Sequence, residues 1–217
     1  MKIAMISDVH TQWHNLKIPE CDLLISSGDY SYKGERKIVK EFHEWLDKQP
    51  AKHIISCQGN HELWVERNWQ EARDLAAAAC PRAYFIDEGL LHIEGRKIWC
   101  AAITPWFFDW AYNVDRGPAI KKHWDCIPDD TEILVTHGPP YGILDQIVLG
   151  RTEHLGCVDL EARVNNLKKL KLHVFGHIHG GSGEKDFYGK RFVNASICNE
   201  KYKPVNPVRE FVINENV

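Results

Sequence analysis

Paired thiolates, basic runs and long apolar stretches are all scarce in this 217-residue chain, and each shortage removes a class of protein. No window approaches the roughly 18 consecutive apolar residues of a membrane-spanning helix. The apolar start, residues 1–6, is interrupted by Asp8 and His10 before a secretory core can form. The formal net charge is −3, so no broad basic surface announces nucleic acid, although a local patch stays compatible with that balance. The seven cysteines are spread singly from Cys21 to Cys198, with no Cys-x-x-Cys pair. Such spacing fits reduced, buried thiols better than a disulfide framework or a thiolate zinc site. No repeat, low-complexity tract or Pro/Gly/Ser linker divides the chain. The expectation is one domain over residues 1–217, cytoplasmic, with no membrane association and no obligate nucleic-acid partner evident.

A composition of 44% hydrophobic and 26% charged residues is that of a soluble globular protein. Short apolar runs bounded by turn residues suit buried strands at residues 2–7, 22–27, 53–57, 97–103, 132–136, 172–175, 191–195 and 209–213. Helical faces lie between several of them: Ile38, Val39, Phe42, Trp45 and Leu46; the alanine-rich residues 71–80; and Cys157, Leu160, Val164 and Leu167. Strands alternating with helices predict an α/β fold, a sheet covered on both faces, with ligands at the carboxyl ends of its strands.

Those ends carry polar motifs. Five successive strands run into Asp8-Val9-His10, Gly28-Asp29-Tyr30, Gly59-Asn60-His61-Glu62, His137-Gly138-Pro139-Pro140 and Gly176-His177-Ile178-His179. Each alone is weak, since a Gly-Asp pair usually marks a turn and a lone strand-end histidine is commonly a loop residue. Together, Asp8, His10, Asp29, Asn60, His137, His177 and His179 put imidazole, carboxylate and amide donors on one edge, without thiolate. Such a set suits Mn, Fe, Zn or Co. Seven donors exceed the needs of one ion and suffice for two that share a carboxylate. Two cations about 3.5–4 Å apart clamp a phosphoryl group and lower the pKa of a bridging water.

In this order the motifs resemble the calcineurin-like metallophosphoesterases, over about residues 1–200. The resemblance implies a β-sandwich of two mixed sheets flanked by helices, an α+β four-layer arrangement, in place of the single sheet. It implies that Asp8, His10 and His179 hold one divalent transition-metal ion and Asn60, His137 and His177 a second, with Asp29 bridging. Manganese is the first expectation, with Fe, Zn, Co or Ni as alternatives. His61 would be the catalytic, phosphate-contacting histidine, with Asn60 beside it at the substrate. Thr104-Pro105-Trp106-Phe107, residues 136–140, Leu155-Gly156-Cys157 and residues 171–179 are similar to the MPPED branch. Some animal members of that branch carry glycine where this chain has His177, so here the second site is complete.

The identity of the ester is less constrained. Ser/Thr protein phosphatases share Gly-Asn-His-Glu, but Tyr32 and Lys33 stand where they carry aspartate and arginine. The family likeness favours hydrolysis of small phosphodiesters such as cyclic nucleotides. A phosphatase-like monoesterase and a non-catalytic scaffold of the same fold are the alternatives. Trp13, Trp64, Trp106, Phe107 and Trp110 are candidates for a wall against a flat group such as a base, while Trp45, Trp99 and Trp124 read as core. Glu62 reads equally as an orienting group or a solvated loop residue. In the long loop from Tyr141 to Gly156, Arg151 and His154 read as solvated.

Overall fold

The structure, a computed structural model, describes residues 1–149 and 151–214. Strands β1 (Lys2–Ile6), β2 (Cys21–Ser27) and β3 (Ala51–Cys57) are buried on both faces almost throughout, as inner parallel strands must be. Helix α1 (Arg36–Leu46) links β2 to β3, and α2 (Leu63–Arg67) and α3 (Trp69–Ala79) lead from β3 to β4 (Ala83–Ile86). Next come β5 (Glu88–Ile93), β6 (Arg96–Ala101), the short pair β7 (Thr104–Pro105) and β8 (Asn113–Val114), α4 (Pro118–Asp125) and β9 (Ile133–Thr136). A hairpin of β10 (Gln146–Leu149) and β11 (Arg151–His154) precedes α5 (Val158–Asn166). The chain ends through β12 (Leu172–Phe175), β13 (Gly183–Phe187), β14 (Lys190–Asn194) and β15 (Arg209–Val212).

The strands form two large mixed sheets, as the family resemblance implied and the simple alternation did not. One has the order β15-β1-β2-β3-β4, the other β13-β14-β12-β9-β6-β5. The second sheet has parallel inner strands with an antiparallel strand at each edge, whereas in the first only β15 is antiparallel and the opposite edge, β4, is parallel to β3. Side-chain alternation assigns the faces. Ile3 and Met5 of β1 join a core with strands of the second sheet and with Trp124 of α4 and Leu160 of α5. Ala4 and Ile6 pack instead with Val39, Phe42 and Leu46 of α1 and Ala72 and Ala76 of α3. Each large apolar side chain removed from water there contributes roughly 1.5–3 kcal/mol. Trp13, Trp99 and Trp124 are buried, and Trp45 and Trp64 are partly buried against the second core, so Trp13 and Trp64 leave the candidate wall. Six cysteines are buried and all seven are free, but Cys126 is exposed, against the expectation that every thiol is buried. No helix among the described residues is long and apolar enough to cross a membrane.

Residues 141–156 are not the plain loop expected. Asp145 is fully buried and accepts from the Gly142 and Gly156 N–H groups at 2.9 and 3.0 Å, closing the hairpin of β10 and β11 at its base. His154 is exposed, as expected of a solvated residue, and its Nδ1–H also donates to Asp145 at 2.7 Å, which staples the hairpin. The side chain of Arg151 lies outside what the structure describes.

Two core histidines make the fold acid-sensitive. His43 (to the Val39 carbonyl and Ser56) and His173 (to Thr136) are completely buried, and burial pushes them down to about 4 and about 3. In the unfolded chain both take a proton near 6.5. The unfolded state therefore binds more protons below that pH, and stability falls as pH drops from about 6.5 toward 4. Each group costs up to about 1.4 kcal/mol per pH unit in that window. Urea midpoints measured from pH 7 to 4.5 should decline less steeply in His173→Leu than in the wild type; parallel curves would refute the assignment.

Candidate active site and metal centre

The loops leaving β1, β2, β3, β9 and β12 bring all eight sequence-assigned side chains into one cluster. His10 Nε2 lies 3.2 Å from His179 Nε2, and His179 Nε2 lies 3.3 Å from Asp8 Oδ1. On the other side His137 Nε2 lies 2.8 Å from Asn60 Oδ1 and 3.2 Å from Asp29 Oδ2. The His137 and His177 rings meet edge to face at 5.1 Å. Potential donor atoms of Asp8, His10 and His179 lie within 4.8 Å of one another, as do those of Asp29, His137 and His177. His10, Asp29 and His61 form a third such group, so Asp29 stands between the two sides.

Four imidazoles are oriented from behind by the backbone. Nδ1–H donates to a carbonyl in each: His10 to Ser31 at 3.0 Å, His137 to Ser27 at 2.8 Å, His179 to Asn199 at 3.0 Å and His61 to Tyr32 at 3.0 Å. A metal-binding histidine is usually held in this way, its second nitrogen left free for the ion. Nε2 of His10 and Nε2 of His179 then face each other beside a carboxylate, and Nε2 of His137 faces the Asn60 oxygen. Nitrogens and oxygens converging in a buried place around two carboxylates draw positive charge, as protons or as a metal ion, and the residues fit a metal centre of N and O donors. The charges agree. Burial opposes the proton on His137 and His179, yet Asp29 in the first case and Asp8 in the second outweigh it and raise both to about 9. Burial likewise opposes charge on Asp8, but His179 holds its carboxyl well below the usual range. His177 is pushed down to about 3 by burial and by His137, which together outweigh Asp29 and Asp8.

Backbone strain is concentrated at the same place. Asp8, His10, Asp29 and His177 have φ of 50°, 39°, 54° and 66°, the left-handed region that costs most L-residues about 1–2 kcal/mol. Asp and His are among the types that tolerate it best. Gly28, at φ 108°, has no such choice, because a Cβ there would sit 2.6 Å from His137 Nδ1. Gly176 leaves no room either, since a Cβ would collide with the Asp8 carboxylate and the Ser7 hydroxyl.

Glu62 resolves to the orienting role. It is fully buried, and its two oxygens accept from the backbone N–H groups of Asp29, Ser31 and Gly59 at 2.9, 3.2 and 2.8 Å and from the Ser31 hydroxyl at 2.9 Å. Burial and the charge of Asp29 push its carboxyl up to about 8, while four donors on two oxygens favour the ionised form. Through it the loops after β2 and β3 become one rigid body.

Several contributors escaped the sequence reading. Ser196 Oγ donates to Asp8 Oδ2 at 2.8 Å, and the Asn199 carbonyl orients His179. Ser196 follows β14, and its position at a further strand end was a usable signal. Phe107 and Trp110 line the cavity beside the cluster, Trp110 packing on His61 at 4.3 Å, whereas Trp106 is 56% exposed and does not line it. Glu200 and Tyr202 line it too, and nothing in their local sequence marks them.

Residues 1–181 match the model of the calcineurin-like phosphoesterase family. The chain therefore belongs to that family, whose members use divalent metal ions. Among its relatives, metallophosphoesterase domain-containing protein 1 of Homo sapiens is 32% identical over 225 residues, covering 95% of this chain and 69% of that protein. A UPF0046 protein of Caenorhabditis elegans is 31% identical, with 92% and 71% covered. A solved phosphopantetheinyl hydrolase from Mycobacterium tuberculosis superposes with a TM-score of 0.64 over 98% of this chain and 96% of that one. At 14% identity that likeness is one of fold.

The Glu62 clamp yields a direct expectation. Glu62→Ala strands three backbone N–H groups, each costing about 1–3 kcal/mol when buried without a partner. Urea unfolding should show a loss of at least about 2 kcal/mol; an unchanged midpoint would mean that the clamp does not hold the loops.

Proposed function

We propose that the chain is a dinuclear metal-dependent phosphodiesterase acting on small phosphodiesters such as cyclic nucleotides. One observation carries this reading: two donor sets share Asp29 beside a cavity of about 290 Å³, and among the described residues lining it there is no lysine or arginine. Asp8, His10 and His179 would hold one ion, Asn60, His137 and His177 the other, and Asp29 both. Two divalent cations, when bound, supply charge stabilisation of the phosphoryl group and a water of lowered pKa. The donors suit manganese first, with Fe, Zn, Co or Ni as alternatives.

The chain's own residues supply the rest. His61 keeps Nδ1–H on the Tyr32 carbonyl, which leaves Nε2 to contact a phosphoryl oxygen and, when protonated, to give its proton to the departing alkoxide. Trp110, packed on the His61 ring, limits its rotation and shields it from water on that side. Asn60 sits beside His61, where its amide can meet the same phosphoryl group. A monoester dianion is best gripped by a bidentate guanidinium. None lines the cavity, and Lys33, where protein phosphatases place theirs, is exposed. A diester monoanion is thereby the better substrate. Free cysteines throughout fit a reducing compartment, and we take the protein to act in the cytoplasm as one unit.

Elemental analysis of the saturated protein should find two transition-metal ions per chain, and Asp29→Asn should weaken the retention of both. At most one ion in the fully loaded wild type would overturn the dinuclear reading.

His61→Ala should keep its metal and lose about 10²–10⁴-fold in rate. With manganese, kcat/KM should be higher for bis-p-nitrophenyl phosphate than for p-nitrophenyl phosphate. A clear monoester preference would transfer the assignment to the phosphatase-like class.

A further inference from the structure

The cavity beside the cluster has walls that phosphoryl chemistry does not explain. Three aromatic rings line it, each packed on a histidine of the site. Ring centroids lie 5.1 Å apart for Phe107 and His177, 4.3 Å for Trp110 and His61, and 4.7 Å for Tyr202 and His10. Beyond Asp29 and the histidines, Glu200 is the one charged side chain among the described residues of the lining. Its carboxylate makes no ion pair or hydrogen bond with another described residue. Its Oε1 lies over Gly180, in the space a Cβ there would take.

The turn that carries Glu200 and Tyr202 is fastened to the site. Tyr202, at φ 55°, donates its N–H to the Asn199 carbonyl at 2.8 Å, and Asn199 Oδ1 accepts from the Lys201 and Lys203 N–H groups at 3.0 and 3.1 Å. The same Asn199 carbonyl holds His179. This turn lies beyond residues 1–181, the stretch matched by the family model, so it is a wall that the shared motifs do not specify.

Aromatic faces with one unpaired carboxylate, and no lysine or arginine among the described residues of the lining, are a receptor for an organic ammonium group. The ring quadrupoles attract a cation, most strongly when it is poorly hydrated, as a quaternary ammonium is. We infer that this cavity seats the ester arm of a phosphodiester bearing an organic ammonium, with Glu200 and Tyr202 as its specificity-determining residues. The inference rests on the phosphodiesterase reading of the same site. The phosphoryl group belongs at the histidine cluster, and an ammonium on a short arm is then directed away from the metal charge toward the rim at Glu200.

Two diesters that differ only in charge test this. In p-nitrophenyl phosphorylcholine and p-nitrophenyl 3,3-dimethylbutyl phosphate the leaving group is shared, and the arms end in the isosteric trimethylammonium and tert-butyl groups. The manganese-loaded wild type should favour the choline diester by at least about tenfold in kcat/KM, within the range that cation–π and charge contacts supply. Glu200→Gln should shrink that ratio severalfold, Glu200→Lys should invert it, and Tyr202→Leu should reduce it. Equal turnover of the two diesters, or a ratio indifferent to Glu200, overturns the inference. Bis-p-nitrophenyl phosphate separates the two levels of the argument. If it is hydrolysed while neither arm-bearing diester is, the ammonium site fails and the phosphodiesterase reading stands; if none of the three is hydrolysed, both fail.

Discussion

Two carboxylates without solvent are the constraint on which this molecule turns. Asp8 is fully buried and Asp29 nearly so, at the junction of two sheets. A charged group in such a place costs several kcal/mol unless it is compensated. The compensation comes from both sheets: Asp8 accepts from the His177 N–H and Ser196, and Asp29 accepts from the His61 N–H and faces His137. Neither sheet can supply this alone, because the first brings the carboxylates and the second brings His137, His177 and Ser196. The site and the packing of the sandwich are therefore one problem with one solution.

Much of this was legible in the chain. Inner strands are continuous apolar runs, which is why β1, β2, β3, β9 and β12 could be read within a residue or two. Their carboxyl-end motifs contain the ligand types themselves, and a side chain at the end of a buried strand has few places to go. Among the edge strands β15 was legible, as residues 209–213, but β4, β5 and β13 were not. β5 and β13 expose alternate or most positions, and β4 is a run of only four partly exposed residues. Two hairpins did leave a sign, since Glu94-Gly95 and Tyr188-Gly189 both take positive φ at the turn between paired strands. They lack the Asn-Gly or Asp-Gly that marks such turns most strongly.

The second sheet and the outer wall of the site were hidden for a different reason. Sequence spacing can align neighbours along a strand, but it cannot say that the end of β14 meets the end of β1, as the bridge between Ser7 and Ser196 does. Ser196, Asn199, Glu200 and Tyr202 come to the cluster only through that junction. Glu62 was undecidable for a related reason: a carboxylate in a loop looks the same whether it meets water or four donors contributed by two chain segments.

The backbone carbonyls behind the histidines have an evolutionary consequence. Where the equivalent partner of His61 is an aspartate side chain, one nucleotide change can remove it. Here the partner is the carbonyl of residue 32, which every amino acid possesses. The same holds for residues 27, 31 and 199. Tautomer control is thus encoded in the path of the main chain, and at residue 32 it is silent to most substitutions, whereas Ser31 and Asn199 also hold that path with their side chains. A relative can change residue 32 and keep His61 aimed, so the ligand letters of such a site understate how much of the protein maintains it.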